Sequence, residues 1–300
     1  MKPHDLEGVF GPVVTTFNAR TGDLDLAAFG SNVRAHLAAG VCGIVVCGST
    51  GEAALVSEEE RLELLERARR DVPMGKCLLM GTGAESTRLT VRRCREAQTV
   101  GADAVLVVAP HYYANAMTPA TLRTHYRRVA DESPLPLVLY NIPKYMHFKL
   151  SPDLVADLAG HQNIIGIKDS SGDLDLLGGY LRSQSSTFTV LTGSGGQLHA
   201  ALMAGARGAI LAVSLFAAET SVRIFTLHGK GEHTAADQVQ SSLKPLATTI
   251  VAELGVPGVK AAMDAAGLCG GRVRAPLLDL DASDRERVSA LVASLGAAAA

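Results

Sequence analysis

The stretch Asn163-Ile164-Ile165-Gly166-Ile167-Lys168-Asp169-Ser170-Ser171-Gly172-Asp173 passes from apolar to polar at a lysine. A long cation that closes a buried strand costs solvation unless something uses it, and an amine held this way can act as a nucleophile. Lys168 therefore reads either as an imine-forming lysine or as an ordinary structural cation. The choice depends on what the rest of the chain places beside it.

Seven other short runs share the apolar character of Ile164 to Lys168. They are Val9 to Thr16, Gly43 to Cys47, Cys77 to Met80, Ala104 to Val108, Leu137 to Tyr140, Phe188 to Leu191 and Gly208 to Val213. Continuous apolar runs, in place of period-two alternation, mark strands covered on both faces, as in a parallel sheet. Helical stretches lie between them. Ser57-Glu58-Glu59-Glu60 reads as a capping box and Ser151-Pro152 as an N-cap with a first-turn proline. Gly40, Gly101 and Gly205 each stand where a helix would end and a strand begin.

Eight strands spaced by roughly 30 residues predict an α/β fold, a (β/α)8 TIM barrel, with a doubly wound sheet as the rival. The barrel is expected over residues 1–220, as the catalytic domain, with a C-terminal helical extension packed on it over 221–300. The Gly-Ala tail from Gly296 to Ala300 reads as frayed.

Composition narrows the function. A net charge of -2 gives no electrostatic footprint for nucleic acid or an anionic membrane. Met1 to Glu7 has no apolar signal core, and no uninterrupted apolar run approaches the roughly 20 residues of a membrane span, so a soluble cytoplasmic protein is expected. The five cysteines form no CxxC pair and read as small hydrophobes, with no disulfide frame. The nine histidines show no HxH or HxxxH spacing, so no metal is expected, and His111, His125, His147 and His199 read as surface or helix residues. Gly193-Ser194-Gly195 lacks the GxSxG pattern of a serine hydrolase.

In a barrel, chemistry gathers at the C-terminal ends of the strands. Gly48-Ser49-Thr50-Gly51-Glu52 follows the second, and its hydroxyls and backbone N–H groups could hold a carboxylate or phosphate, or it could be a plain tight turn. Thr192-Gly193-Ser194-Gly195-Gly196 carries the same ambiguity, which keeps a phosphorylated substrate open. Tyr140 reads as a core anchor or, beside Lys168 on the next strand, as a proton relay.

Gly48-Ser49-Thr50-Gly51-Glu52, Tyr140-Asn141-Ile142-Pro143 and Gly166-Ile167-Lys168-Asp169-Ser170 together resemble the dihydrodipicolinate synthase/N-acetylneuraminate lyase family, from about Gly8 to Pro276. The resemblance implies a homotetrameric lyase, a dimer of dimers with no metal or organic cofactor, that forms a Schiff base between its lysine and a 2-oxo acid such as pyruvate. It assigns the imine to Lys168 and the proton relay to Tyr140 with Thr50. Ser49 and Thr50 take the carboxylate, and Gly193 and Ile210 close the pocket. Ser170, Ser194 and Tyr145 complete the substrate-binding set, and Tyr112 or Tyr113 of a neighbouring copy would finish the relay.

One position departs from the family. Where true dihydrodipicolinate synthases carry an arginine for the aldehyde's carboxylate, two residues after the motif proline, this chain has Tyr145. Gly83-Ala84-Glu85-Ser86-Thr87, Ala130-Asp131-Glu132-Ser133-Pro134-Leu135-Pro136 and Gly255-Val256-Pro257-Gly258-Val259-Lys260 look more like the 4-hydroxy-2-oxoglutarate aldolase branch. That branch, or a 2-keto-3-deoxy sugar acid aldolase, is the expectation. The alternatives are 4-hydroxy-tetrahydrodipicolinate synthase, N-acetylneuraminate lyase, a keto-deoxy acid dehydratase and a catalytically idle 2-oxo acid binding protein.

Overall fold

In a computed structural model that describes residues 2–297, eight parallel strands close a barrel in sequence order. They are β1 (Gly8–Pro12), β2 (Gly43–Val46), β3 (Cys77–Gly81), β4 (Ala104–Val108), β5 (Leu137–Asn141), β6 (Ile164–Asp169), β7 (Thr189–Thr192) and β8 (Gly208–Ile210). β1 pairs with both β2 and β8, so the sheet has no free edge. Residues of both pleat faces are buried, as the continuous apolar runs require: one face fills the barrel and the other lies beneath the helices.

Local chemistry sets the helix ends. Ser57 Oγ accepts from Glu60 N at 3.2 Å while Ser57 N donates to Glu60 Oε2 at 2.8 Å, which closes the capping box that starts helix Glu58–Asp71. Helix Pro152–Ala159 begins with Ser151 as N-cap and a proline in its first turn. Gly101 ends helix Thr87–Val100 at φ 98°, a left-handed conformation that a side chain would strain.

Three strands stop earlier than their apolar runs predict: β2 ends one residue early, at Val46, because Cys47 turns to φ 52°, and two others end further short. β1 ends at Pro12, not Thr16, because the chain turns off the sheet: Val13 N donates to Gly11 O at 3.1 Å, and Thr15 Oγ1 to Gly51 O at 2.6 Å. β8 ends at Ile210, not Val213, because Ala212–Leu215 curls into a 3-10 turn in which Ser214 N donates to Leu211 O at 3.2 Å. Among the histidines read as surface or helix residues, His125 and His199 are helical but buried, at 5% and 2% exposure.

Helix Ala218–Gly229 follows β8, and helices His233–Leu246, Gly255–Ala265 and Ala282–Ala297 come after it. Pro245 stands inside the first of these. It removes an N–H and crowds the preceding turn, and the helix continues from it in the wider π form over Ala247–Glu253. Residues 298–300, the end of the tail read as frayed, lie outside the described residues. No described helix is long and apolar enough to cross a membrane.

Candidate active site

Strand pairing sets Tyr140 of β5 directly beside Lys168 of β6. Parallel neighbours in register share a pleat face, so the two side chains meet: Lys168 Nζ lies over the Tyr140 ring, 4.3 Å from its centroid. The contact is with the ring face and forms no ion pair, and among the described residues Lys168 makes neither an ion pair nor a hydrogen bond. The side chain is nonetheless buried, at 6% exposure.

The next register pair turns to the other face and braces the first. Asn141 Nδ2 donates to Asp169 Oδ1 at 2.7 Å, and Ser171 donates to the same carboxyl through N at 3.1 Å and Oγ at 2.7 Å. Leu150 N in turn donates to Asn141 Oδ1 at 3.0 Å. Burial raises the Asp169 carboxyl above its ordinary range, and the bonds from Ser171 and Asn141 oppose that rise. These bonds hold the strand ends that carry Tyr140 and Lys168.

The loop after β2 supplies the opposite wall. Ser49 Oγ lies 3.4 Å from Tyr140 OH, and Thr50 lines the same cavity. Gly51, Glu52 and Ala53 close the turn through their backbone N–H groups, whereas those of Ser49 and Thr50 have no partner among the described residues. Two free amides and two hydroxyls beside an amine are donors suited to a carboxylate.

Gly193 makes the space on the β7 side. A Cβ there would overlap the Ser170 hydroxyl and sit 3.0 Å from Lys168 Cε. The resulting cavity of about 250 Å³ is lined by Ser49, Thr50, Tyr140, Tyr145, Lys168, Ser170, Gly193, Ser194 and Ile210. Of the residues singled out from the sequence, Tyr112 and Tyr113 stand apart: they sit after β4 at 77% and 67% exposure, their rings edge to face.

Sequence reasoning missed two parts of the cavity. Lys144 lines it and donates to Ala252 O at 2.8 Å. The π-helical turn supplies Ala247, Thr248, Val251 and Ala252 as a further wall, and Pro245 was the signal that could have marked it. Burial, and then the neighbouring Tyr140 phenol, raise the Tyr145 phenol.

Glu52 faces away from this chemistry. Its Oε1 lies 2.5 Å from Lys260 Nζ, with both side chains at 1% exposure or less, and its Oε2 accepts from Arg274 N at 2.8 Å. Lys260 Nζ also donates to Arg272 O at 2.6 Å. The last residue of the Gly48–Glu52 motif thus fastens its loop to helix Gly255–Ala265.

The dihydrodipicolinate synthetase family model matches residues 5–295. A 4-hydroxy-tetrahydrodipicolinate synthase of Methanosphaerula palustris is 34% identical over 287 residues, 95% of this chain and 97% of that one. Dihydrodipicolinate synthase of Thermotoga maritima superposes with a TM-score of 0.92 at 30% identity, covering 98% of this chain and 99% of that one. YagE of E. coli K12, a prophage protein of the dihydrodipicolinic acid synthase family solved in complex with pyruvate, does so with a TM-score of 0.90 at 30% identity, covering 97% and 98%. With a lysine, a tyrosine and a hydroxyl-lined loop at the mouth of a closed barrel, the chain belongs to the dihydrodipicolinate synthetase family and is a pyruvate-dependent lyase of the aldolase type.

Proposed function

We propose that Lys168 forms an imine with pyruvate, or with a 2-oxo acid cleaved to pyruvate. The observation that carries this reading is a buried amine with no counter-ion, stacked on Tyr140 in a cavity whose far wall offers unpaired donors. Lys168 Nζ, as the free amine, attacks the keto carbon. Tyr140, with Thr50, passes protons to the departing hydroxyl, and water leaves. The protonated imine then accepts the electron pair of the breaking C–C bond, giving an enamine, while the hydroxyl on the departing carbon gives up its proton and that fragment leaves as an aldehyde; protonation of the enamine carbon and hydrolysis release pyruvate. In the other direction the enamine attacks an aldehyde.

The active form in this proposal is a homotetramer, in which Tyr112 or Tyr113 of a neighbouring copy reaches Thr50; their exposure supports it. The described part of the C-terminal extension, residues 221–297, acts as a helical wall on the barrel, and five unpaired cysteines suit the reducing cytoplasm.

For the partner, the pyruvate half and the aldehyde half of the site weigh differently. Identity spread over the whole chain speaks for the shared imine chemistry, whereas the partner is chosen by the few groups at the cavity mouth. There Tyr145 stands in place of a guanidinium, and Ser171, Ser194 and Thr248 add hydroxyls. This wall suits a hydroxylated 2-oxo acid, such as 4-hydroxy-2-oxoglutarate or a 2-keto-3-deoxy sugar acid. The names of the curated relatives favour the second reading, 4-hydroxy-tetrahydrodipicolinate synthase, with Lys144 as the remaining cation for the aldehyde's carboxylate.

Borohydride reduction in the presence of pyruvate, followed by peptide mass analysis, tests the imine; a chain with no adduct on Lys168 ends the aldolase mechanism. Pyruvate release from the two hydroxylated acids, set against condensation with the carboxylate-bearing aldehyde of the synthase reaction, decides the partner. Turnover only in the condensation would establish the second reading.

A further inference from the structure

Three histidines far apart in sequence converge on one point outside the catalytic cavity. His199 lies in helix Leu198–Met203 after β7, His228 in the last turn of helix Ala218–Gly229, and His233 at the start of helix His233–Leu246. Gly231, at φ 76°, lets the chain reverse between the second and third. One ring nitrogen from each lies within 4.8 Å of the others.

We propose that His199, His228 and His233 bind a single zinc-like divalent transition-metal ion, which ties the first two C-terminal helices to the barrel. Imidazole donors suit zinc, copper and nickel, and three of them leave a fourth position for water.

The strongest support is the state of His199. Its ring is buried, and Nδ1 lies 2.5 Å from Asp237 Oδ1. An ionised carboxylate can only accept, so Nδ1 donates to it, and the tautomer this assigns to a neutral ring leaves the lone pair on Nε2. Nε2 is buried with no hydrogen-bond partner, as is His228 Nδ1. Buried polar atoms without partners are rare and destabilising. A carboxylate that orients a histidine and leaves its other nitrogen bare is the outer-sphere arrangement of metal-bound imidazoles.

The geometry agrees with this. Metal–nitrogen bonds of about 2.0–2.1 Å require the nitrogens to close by roughly 1 Å or more from their widest separation. His228 and His233, less buried than His199 and on helix ends, can make that adjustment. The competing reading is a ring cluster held by packing, since His199 and His233 stack at 25° with centroids 5.6 Å apart.

The site connects to the catalytic cavity without taking part in its chemistry. His199 N donates to Gln240 Oε1 at 3.0 Å, and Gln240 Nε2 donates to Gly195 O at 3.0 Å. Gly195 belongs to the cavity wall, so an ion that fixes these helices also stiffens the loop after β7.

The test uses the full chain without a histidine tag, stripped with a chelator and titrated with zinc. One zinc per chain and a raised melting temperature are expected, with ligand-field absorption when cobalt replaces zinc. His228→Ala and His233→Ala, at the less buried positions, should each weaken zinc binding by more than about 100-fold, and Asp237→Asn by about 10- to 100-fold. The pyruvate adduct on Lys168 should form in both histidine variants, which separates this proposal from the catalytic one. No bound zinc in the native chain, or binding unchanged in either histidine variant, would overturn it and leave the ring cluster as packing.

Discussion

The chain buries two lysines, Lys168 and Lys260, and treats them in opposite ways. Lys260 has a carboxylate at 2.5 Å, a carbonyl at 2.6 Å and the Phe17 ring 4.7 Å away, so every direction of its ammonium is answered. Lys168 has only the face of Tyr140. Burial pushes the Lys260 ammonium below its ordinary range, and the Glu52 carboxylate beside it opposes that fall. An ion pair would make Lys168 useless as a nucleophile, because its lone pair would be tied up in a proton that the carboxylate stabilises. The difference teaches that burial alone does not mark a reactive amine; the proposed role of Lys168 rests on burial without a counter-ion.

The largest effect expected from this contrast is at Lys168. Lys168→Ala should abolish both the borohydride-trapped pyruvate adduct and turnover while leaving the melting temperature close to the parent's. Lys260→Met should do the reverse. It strands the Glu52 carboxylate in the interior, at a cost of about 3–5 kcal/mol in denaturant unfolding, yet the fraction that remains folded should still form the adduct. The double variant Glu52→Gln with Lys260→Met should lose less stability than Lys260→Met alone, since no unpaired charge remains. A Lys260→Met protein that kept its stability but lost the adduct would reverse the roles given to the two lysines.

Tyr140→Phe comes next. It keeps the ring that Lys168 rests on and deletes the hydroxyl, so the amine stays in place while proton transfer fails. Turnover should fall by about 10²-fold or more, with slow imine formation still visible in single-turnover trapping. An unchanged rate would return Tyr140 to the role of a packing residue.

The sequence shows one member of each pair of partners more readily than the pair itself. The eight strands are legible because continuous apolar runs have few other uses in a chain of this size, and a parallel barrel brings all their C-terminal ends to one face. That is why Ser49, Tyr140, Lys168 and Gly193 could be grouped before any geometry was known. Strand ends are less legible: Val13 to Thr16 is as strand-like as what precedes it, and only the bond from Thr15 Oγ1 to Gly51 O explains why the chain leaves the sheet. Glu52 and Lys260 are 208 positions apart, with no local pattern linking them, and the same holds for His199 and His228. The π-helical wall of the cavity is intermediate, since Pro245 announces a disturbance in the helix but not its form.

The smallest effect separates two duties of Ser49 and refines how Lys168 is served. Its hydroxyl is 3.4 Å from Tyr140 OH, long for a hydrogen bond between oxygens and therefore a weak hold on the phenol. The neighbouring amides of Ser49 and Thr50 are free and survive a change of side chain. Ser49→Ala should then raise KM for pyruvate by roughly tenfold, about 1.4 kcal/mol, the scale of one hydrogen bond lost to a carboxylate, and change kcat by less than about twofold. If kcat and kcat/KM fell together instead, and the pH profile of kcat moved, the hydroxyl would belong to the proton relay. Lys168 would then depend on three hydroxyl-bearing residues for its protons, and the carboxylate would rest on backbone donors and Thr50 alone.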